Sequence, residues 1–325
     1  MMNLCTRMIA AGVLAASSCL AHASTFPDRP IRLVVPFAPG GASDAIARPV
    51  AQEMQHILGS PVVVENRPGA AGNIALDYVA NAEPDGYTVL LGNVSTNAMN
   101  ETSYAKVLKI VPSQDLRAVG MVGLTPAVLV ASTKFVPDTG AELIAYGKAN
   151  PGKINYWLPG VASGPHFDMI QLEKRNSIQM TPIPYSGGAG PGITALIAGE
   201  VHIGLLNVGS AVSQIQGGKL KAIAVSGDEP LSELPGVPTA AQAGLGSLSS
   251  AWQGLFVPTA TPQPVVDKLH QALNAALAKP EVREVLARAG ARIQPSATPA
   301  EAQRFVADET TKWGKIIRES GVKLD

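Results

Sequence analysis

Residues 30–44 read Pro-Ile-Arg-Leu-Val-Val-Pro-Phe-Ala-Pro-Gly-Gly-Ala-Ser-Asp, and this segment is the most informative one in the chain. An apolar run at 31–37 predicts a buried strand that ends in a Pro-Gly-Gly turn. Asp44 follows at a position where it can cap a helix. The apolar face of that helix would carry Ile46, Val50, Met54 and Leu58. A strand, a glycine turn and a helix in succession are typical of an α/β fold.

The same segment predicts an anion-binding site. Glycines let the backbone approach a ligand closely, and the free N–H groups and dipole of a helix start favour negative charge. The loop lacks the Lys and Ser/Thr of a P-loop and the glycine spacing of a dinucleotide fingerprint. We therefore interpret it as a binding loop for a small carboxylate, although an ordinary strand-to-helix turn explains it equally well.

The N-terminus has the features of a secretory signal peptide at 1–23. Arg7 precedes an apolar stretch at 8–16, and Ala21-His22-Ala23 fits a cleavage pattern that would leave Ser24 at the mature N-terminus. The apolar stretch is too short to span a bilayer. Lipid anchoring at Cys19 is a weaker alternative, and export to the periplasm is the expected outcome.

Composition excludes several classes of function. Both cysteines, Cys5 and Cys19, lie in the leader, so the mature chain has neither a thiol nucleophile nor a cysteine metal site. One of the 25 basic residues is Arg7, so the mature chain has a net charge near −1. This balance gives no indication of a nucleic-acid or anionic membrane partner.

The body of the chain alternates strands and helices, which predicts open, mostly parallel sheets covered by helices. Strands are predicted at 31–37, 61–65, 87–92, 127–131, 154–158, 181–184, 201–206, 221–226 and 254–257. Helices are predicted at 44–58, 73–82, 140–149, 166–174, 192–198, 210–216, 262–278, 280–289 and 299–319. Capping patterns start at Thr139, Thr239 and Thr298.

Ligands bind beyond the carboxyl ends of the strands in such sheets. The candidate binding loops are rich in Gly, Ser, Asn and Pro, so a site built from them would hold its ligand through backbone N–H groups and neutral side chains. These loops are 37–44, 66–73, 92–97, 158–166, 185–191 and 206–210.

Eight motifs follow one another along the mature chain. They are Arg-Pro-Ile-Arg-Leu-Val-Val-Pro-Phe at 29–37, Pro-Gly-Gly-x-x-Asp at 39–44, Val-Val-Val-Glu-Asn-Arg-Pro-Gly-Ala-Ala-Gly-Asn at 62–73, Pro-Asp-Gly-Tyr-Thr at 84–88, Asn-Pro-Gly-Lys at 150–153, Pro-Tyr at 184–185, Leu-Pro-Gly-Val-Pro-Thr at 234–239 and Trp-Gly at 313–314. In their order and nearly matching spacing they resemble those of the periplasmic solute receptors of tripartite tricarboxylate transporters, the Bug family, which makes the resemblance specific.

The resemblance implies a two-lobe periplasmic binding protein, the Venus flytrap architecture. Lobe one would comprise 24–124 and 254–325, and lobe two 125–253, with crossings near Thr125 and Gln253. The family's ligands are typically carboxylates held without metal or covalent chemistry. The implied partners are the permease subunits of a tripartite tricarboxylate-type transporter or a sensor kinase, and the implied state is a monomer without cofactors.

Lobe two departs from the family pattern at its binding loops. Trp157 and Leu158 replace small residues, Pro165 removes an N–H donor, and a common family Asp is Leu206 here. The changes make the pocket more apolar and leave open whether loop 157–166 still binds a carboxylate. A receptor for a neutral or aromatic solute is therefore the alternative to a carboxylate receptor.

Nothing in the sequence indicates an enzyme, and a secreted hydrolase is a remote alternative. The histidines do not cluster at metal spacing, and Gly209-Ser210 lacks a nucleophile elbow. His166 would face the cleft as a neutral donor, or else bond only locally. No catalytic or metal residue is predicted. The predicted ligand-binding residues are Phe37, Ala38, Gly40, Gly41, Ala42, Ser43, Asp44, Asn93, Ser95, Trp157, Gly160, Ser163, Gly164, His166, Tyr185 and Asn207.

Overall fold

A computed structural model describes residues 26–185 and 188–322 of the chain. The predicted leader at 1–23, the cleavage site before Ser24 and the anchoring residue Cys19 lie outside these residues, as does part of the loop 185–191.

The N-terminal half of the first sheet is built from short strands separated by helices. Its elements in chain order are β1 (Ile31–Val35), α1 (Ala42–Leu58), β2 (Val62–Asn66), α2 (Asn73–Ala80) and β3 (Thr88–Asn93), then a π-helical turn (Ser95–Met99), α3 (Asn100–Ser103), α4 (Pro112–Asp115) and β4 (Leu116–Thr125). A 3₁₀ turn (Ala70–Gly72) precedes α2.

The chain then forms a second sheet and returns to the first. The second sheet contains β5 (Ala127–Ser132), α5 (Gly140–Ala149), β6 (Ile154–Leu158), α6 (Gly164–Asn176), β7 (Met180–Pro184), α7 (Ala189–Ala198), β8 (Ile203–Asn207), α8 (Val208–Gln216) and β9 (Leu220–Val225). The returning part contains β10 (Ala251–Pro258), α9 (Gln263–Ala278), α10 (Pro280–Arg288), β11 (Arg292–Ile293) and α11 (Pro299–Ser320).

Among the described residues, the first sheet has six strands in the order β11-β4-β10-β3-β1-β2 and the second has five in the order β7-β6-β8-β5-β9. Both sheets are mixed. Four strands of each run in one direction, while β10 and β11 in the first sheet and β5 in the second run against them. The α/β fold with two lobes is therefore confirmed, and the expected mostly parallel sheets contain these exceptions.

The exceptions follow from the path of the chain between the sheets. Pro126 is the only residue between β4 and β5, so β5 starts at the edge where the parallel strands of its sheet end. Ala127 accordingly pairs with Asn207, the last residue of β8. In the first sheet, Gln253 near the start of β10 pairs with Asn93 at the end of β3. A strand that enters a sheet from its carboxyl edge must run antiparallel to its neighbours.

Helices bury both faces of each sheet. On one face of the first sheet, α1 packs with α9 through apolar residues that include Ile46, Val50 and Met54, as the sequence predicts. On the other face, Glu309 of α11 accepts hydrogen bonds from the indoles of Trp252 on β10 and Trp313 on α11 at 2.9 and 3.1 Å. Both tryptophans are buried, so they fix the C-terminal helix onto the sheet.

The predicted strands and helices are all present at nearly the predicted bounds, and the strands β4 and β11 are additional. The pattern at Thr139 is a full capping box, and Thr298 accepts from the amide of Glu301. Asp44 is a correction, because α1 begins at Ala42 and Gly41 is its N-cap residue. Asp44 therefore lies in the first turn and does not cap the helix, since the Pro-Gly-Gly turn closes two residues earlier than predicted.

Candidate functional site

A cavity of about 370 Å³ opens between the two sheets, where the carboxyl ends of their parallel strands face each other. The first sheet's side contributes Phe37, Ala42, Ser43, Asn93, Val94 and Ser95. The second sheet's side contributes Pro159, Ser163, Gly164, Pro165, Asp168, Leu205 and Asn207. The strand connections and the C-terminal helix contribute Thr125, Ala127, Ser249, Ser250, Ala251, Gln253 and Trp313.

The N-terminus of α1 supplies hydrogen-bond donors to this cavity. The first intrahelical bond runs from Ala45 N to Gly41 O, so the amides of Ala42, Ser43 and Asp44 precede it. No side chain caps this helix. Since Ala42 and Ser43 line the cavity, an anion bound there can accept from free N–H groups at the positive end of a helix dipole.

The side chain of Asp44 stabilises the loop that precedes α1 without lining the cavity. Its carboxylate accepts hydrogen bonds from Gly40 N at 3.0 Å, from Asn66 Nδ2 at 3.0 Å, and from Arg48 through two nitrogens at 2.8 and 2.9 Å. Its side chain is only 5% exposed. The Arg48 guanidinium, together with the Gly40 and Asn66 bonds, lowers the pKa of Asp44 to about 2 against the effect of burial.

Gly40 has a φ of +80°, which explains why a glycine is needed in this turn. Gly41 has a φ of −79°, and a Cβ there would lie 3.4 Å from the carbonyl oxygen of Ala38. The close turn thus depends on Gly40, while Gly41 marks the start of the helix.

The end of β3 forms a second polar wall. Asn93 and Thr96 bond each other reciprocally, with Asn93 N donating to Thr96 Oγ1 at 3.0 Å and Thr96 N donating to Asn93 Oδ1 at 3.1 Å. This turn opens the π-helical segment and places Asn93 and Ser95 on the cavity.

The N-terminus of α6 faces the cavity from the second sheet but offers fewer donors. The Ser163 hydroxyl accepts from His166 N, and Pro165 has no N–H, so Gly164 retains the free amide of this turn. The ring Nδ1 of His166 accepts from Ala162 N at 3.0 Å, which makes its bond local, and burial lowers its pKa.

Asp168 lies one turn further along α6 and lines the cavity. Its residue exposure is 6%, and both carboxylate oxygens accept from Ser249 N at 3.3 Å. Burial raises the pKa of Asp168 to about 6, although the Ser249 bonds and the more distant Lys312 and Arg175 oppose the shift.

The segment that enters β10 closes the remaining side. Gln253 is 6% exposed, lines the cavity, and its Oε1 has no hydrogen-bond partner within the described residues. The hydroxyls of Ser226 and Ser250 lie 2.8 Å apart, and Ser226 Oγ accepts from Ala127 N at 2.8 Å. This small network ties together the two connections between the sheets.

Half of the predicted binding residues line the cavity, and the rest surround it or lie elsewhere. The lining ones are Phe37, Ala42, Ser43, Asn93, Ser95, Ser163, Gly164 and Asn207. Those in the adjoining loops and first helical turns without lining it are Ala38, Gly40, Gly41, Asp44, Gly160 and His166.

Two predicted residues lie away from the cavity. Trp157 is 3% exposed and belongs to the core between the second sheet and α7. A Cβ on Gly192 would lie 2.2 Å from its indole, so that glycine makes room for the ring. The Tyr185 hydroxyl bonds Glu200 at 3.1 Å. The side chains of a strand alternate between faces, and β6 directs Trp157 into the core rather than along the cleft.

Sequence reasoning missed Asp168, Gln253, Trp313 and the segment 249–251. Asp168 carries a recognisable signal, because it lies four residues after Gly164, on the same side of a helix that starts at a predicted binding loop. The other residues come from parts of the chain distant in sequence, and no local pattern joins them to the glycine loop.

The remaining histidines have structural bonds. His202 Nδ1 accepts from Asn155 N at 2.9 Å, and the buried His270 has its Nδ1 2.8 Å from Val119 O. Among residues 26–185 and 188–322, no three His, Cys, Asp or Glu side chains are grouped as a metal site. In the same residues, no helix combines the length and apolar character that a membrane span requires.

Comparisons with known proteins agree with this geometry. The model of the family described as "Tripartite tricarboxylate transporter family receptor" matches residues 46–322. Protein BugT of Bordetella pertussis is 36% identical, over 99% of this chain and 100% of BugT.

Two solved structures of similar proteins are complexes with carboxylic acids. MatC from Rhodopseudomonas palustris, with bound malate, is 33% identical with a TM-score of 0.77 and covers 90% of this chain and 100% of its own. A second R. palustris protein, with adipate, is 28% identical with a TM-score of 0.80 and covers 92% of this chain and 99% of its own.

Proposed function

The chain belongs to the tripartite tricarboxylate transporter receptor family, and from that premise we propose that it binds a small carboxylate in the cavity between its two lobes and delivers it to a transporter of that type. The observation that carries this proposal is the uncapped N-terminus of α1, whose residues Ala42 and Ser43 line the cavity. Free amide donors and a helix dipole stabilise a carboxylate without any basic side chain.

The relatives with bound malate and adipate support the ligand class. Both ligands are small carboxylic acids, and a cavity of about 370 Å³ is of a size for such a molecule. The lining adds the hydroxyls of Ser43, Ser95 and Ser163 and the amides of Asn93 and Asn207 as neutral partners.

The proposed lobes comprise 24–124 with 254–325, and 125–253. In this division the chain crosses between lobes near Thr125 and near Gln253, and the lobes close on the ligand by rotation about these two connections. A ligand shifts such an equilibrium only by its preference for the closed form. Lobe one binds first through the α1 loop, and lobe two sets selectivity.

The proposed setting is the periplasm, reached by cleavage of the leader at 1–23. The proposed partners are the permease subunits of a tripartite tricarboxylate-type transporter, with a sensor kinase as the alternative, and the protein acts as a monomer without cofactors or catalysis. The neutral-solute alternative loses its main support, because Trp157 lies in the core rather than at the cavity.

Calorimetric titration of the purified protein with a carboxylate panel that includes malate and adipate tests this function. We expect one or more members to bind at a one-to-one ratio and to stabilise the protein by about 2.7 kcal/mol at a hundredfold excess over Kd. The radius of gyration from small-angle scattering should fall at saturation. Absence of binding by every carboxylate would refute the proposal, and turnover of a bound ligand would point to an enzyme instead.

A further inference from the structure

Asp168 is an acidic side chain in the cavity that has no cationic partner. In the part of the chain that the structure describes, no basic group forms an ion pair with it. Arg175 donates to Ser247, and Lys312 pairs with Glu309 at 2.8 Å. The hydrogen bonds to the Asp168 carboxylate come from Ser249, from its side chain and from its backbone nitrogen at the long distance of 3.3 Å, and neither donor carries a charge. A buried carboxylate in this state is incompletely compensated.

A second acceptor without a partner lines the same cavity. Gln253 is 94% buried, and its Oε1 has no donor among the described residues. It lies on β10, directly after the segment that contains Ser249. Buried polar atoms are normally hydrogen-bonded, so an unpartnered acceptor beside an uncompensated carboxylate indicates that a ligand supplies donors here.

The first sheet's side of the cavity offers mainly hydrogen-bond donors, in contrast to the acceptors of Asp168 and Gln253. There the α1 amides and the hydroxyls of Ser43 and Ser95 offer donors, and the described residues that line the cavity include no Lys, Arg or His. The site thus combines a place for an anion with a place for a donor or cation. A dicarboxylate dianion would bring its second charge into a cavity that holds Asp168 and no base.

We propose that the ligand is a carboxylate that also carries a protonated amine, and that Asp168 is the residue that selects the amine. This inference rests on the proposed carboxylate-receptor function and specifies its ligand class. A ligand hydroxyl would satisfy Gln253 but leave the charge of Asp168 unpaired, whereas an ammonium group supplies both a donor and the missing positive charge.

The ionisation of Asp168 agrees with this role. Burial raises its pKa to about 6, so the carboxyl is mainly ionised at neutral pH and gains a proton as the pH falls below that value. The other charged or titratable groups around Asp168 are Lys312 on α11 and, on its own helix α6, Arg175 and His166; burial lowers the pKa of His166. An ammonium ligand would therefore bind less well in mildly acidic solution.

Matched pairs of probes that differ in one amine test the proposal: aspartate with succinate, glutamate with glutarate, and 5-aminopentanoate with pentanoate. Titration calorimetry should show that the amino member of at least one pair binds at least about tenfold tighter. Asp168→Asn should remove most of this ratio by weakening the amino member alone. Asp308→Asn, the same charge change at an exposed residue of α11 outside the cavity, should leave the ratio unchanged.

The outcomes separate this inference from the function beneath it. Tighter binding of the amine-free members by the wild type, or an unchanged ratio in Asp168→Asn, would overturn the amine proposal and leave the carboxylate receptor intact. No binding by any probe in either class would refute both.

A wild-type pH series keeps the test decisive if Asp168→Asn does not fold. The preference for the amino member should decline from about pH 8 to about pH 5 as Asp168 gains its proton. The amine-free member at the same pH controls for His166. A preference that is constant over this range would contradict the assignment.

Discussion

The helices α1 and α6 both begin at the cavity and both carry an aspartate near their start, yet the two carboxyls lie in opposite environments. Asp44 on α1 accepts from Gly40 N, Asn66 Nδ2 and two of the three guanidinium nitrogens of Arg48, and its pKa is lowered to about 2. Within the described part of the chain, Asp168 on α6 accepts hydrogen bonds from Ser249 alone, and burial raises its pKa to about 6.

The difference indicates two roles: Asp44 is part of the scaffold that stabilises the fold, and Asp168 is a selector that can recognise a ligand. The charge of Asp44 is compensated by Arg48 and by donors within the loop, so Asp44 stabilises the turn while the amides of α1 stay free for a ligand. Asp168 has hydrogen-bonding capacity and charge left over, so a ligand can change its energy. An acidic residue near a helix start therefore has no fixed role, because its partners decide whether it serves the fold or the site.

The largest expected effect is on stability and comes from Trp157 on β6. It tests whether ligand selectivity in lobe two is determined by residues of α6 rather than by residues of β6. Trp157→Ala removes a buried indole that packs against α7, so we expect a loss of about 3–5 kcal/mol in the free energy of unfolding. Denaturant titration measures it. The relative affinities for paired ligands should stay within about twofold, since the ring lies outside the cavity.

A Trp157→Phe variant is the milder control for folding in that experiment. If either variant reverses ligand preference at full saturation of the folded state, the side chain influences the cleft and the contrast between β6 and α6 is wrong.

The next effect tests the α1 N-terminus as the anion site. Ala42→Asp places a carboxylate among the free amides, where it should displace the ligand's carboxylate while the helix itself tolerates the charge. We expect carboxylate affinity to fall about a hundredfold, equivalent to about 2.7 kcal/mol. Calorimetry and thermal unfolding together separate the binding loss from any instability.

Ala45→Asp provides the matched control for charge. Ala45 is exposed, lies one turn on from Gly41 and does not line the cavity. Equal loss of affinity in the two variants would mean that general repulsion, rather than occupation of the α1 amides, explains the result.

A smaller effect concerns Asp44 as scaffold. Asp44→Ala leaves Gly40 N without its acceptor and removes one of the two acceptors of Asn66 Nδ2, which keeps Phe37 O, so we expect destabilisation of about 2 kcal/mol near neutral pH. Because the folded pKa lies below the ordinary value, this contribution is present above about pH 4 and is lost as the pH falls through about 2. Urea unfolding of both proteins across this range should show the gap closing. A gap that is independent of pH would contradict the ionic role.

The sequence was sufficient for the architecture because the decisive patterns are local. Apolar strands, the Pro-Gly-Gly turn and the capping residues Thr139 and Thr298 act over a few neighbouring residues, and the structure has them close to the predicted positions. The antiparallel direction of β5 and β10 was not predicted, because it depends on how the chain passes between two sheets.

The site was harder to predict for the same reason. Loops after strands indicated residues on both sides of the cavity, including Ser43, Asn93 and Asn207, whereas Gln253 and Trp313 reach the cavity from distant parts of the chain. Trp157 was misplaced because an aromatic residue beside a binding loop looks like a contact until the alternation of the strand assigns its face. Asp168 was overlooked because its meaning depends on the absence of a partner, which no local pattern reveals.

The smallest expected effect concerns how much the buried carboxylate of Asp168 lowers the free energy of unfolding of the unliganded protein. Its folded pKa of about 6 lies above the ordinary value, so the protonated form stabilises the fold below about pH 4 and that contribution is lost as the pH rises through 6. Asp168→Asn is neutral throughout and keeps an acceptor for Ser249 N. We therefore expect it to be more stable than the wild type by about 1 kcal/mol at pH 8 and nearly equal at pH 4. The rise in the pKa of Asp168 from 3.8 to about 6 corresponds to a destabilisation of at most about 3 kcal/mol at pH 8. Asp168→Asn does not recover all of it, because the NH₂ group of the asparagine also needs an acceptor. Thermal unfolding over this pH range measures the difference.

A saturating amino-carboxylate at pH 8 should reverse the order of stability of the wild type and Asp168→Asn, because the ammonium group stabilises only the ionised side chain. A wild type that is the more stable of the two at pH 8 without ligand would show that Asp168, like Asp44, belongs to the scaffold.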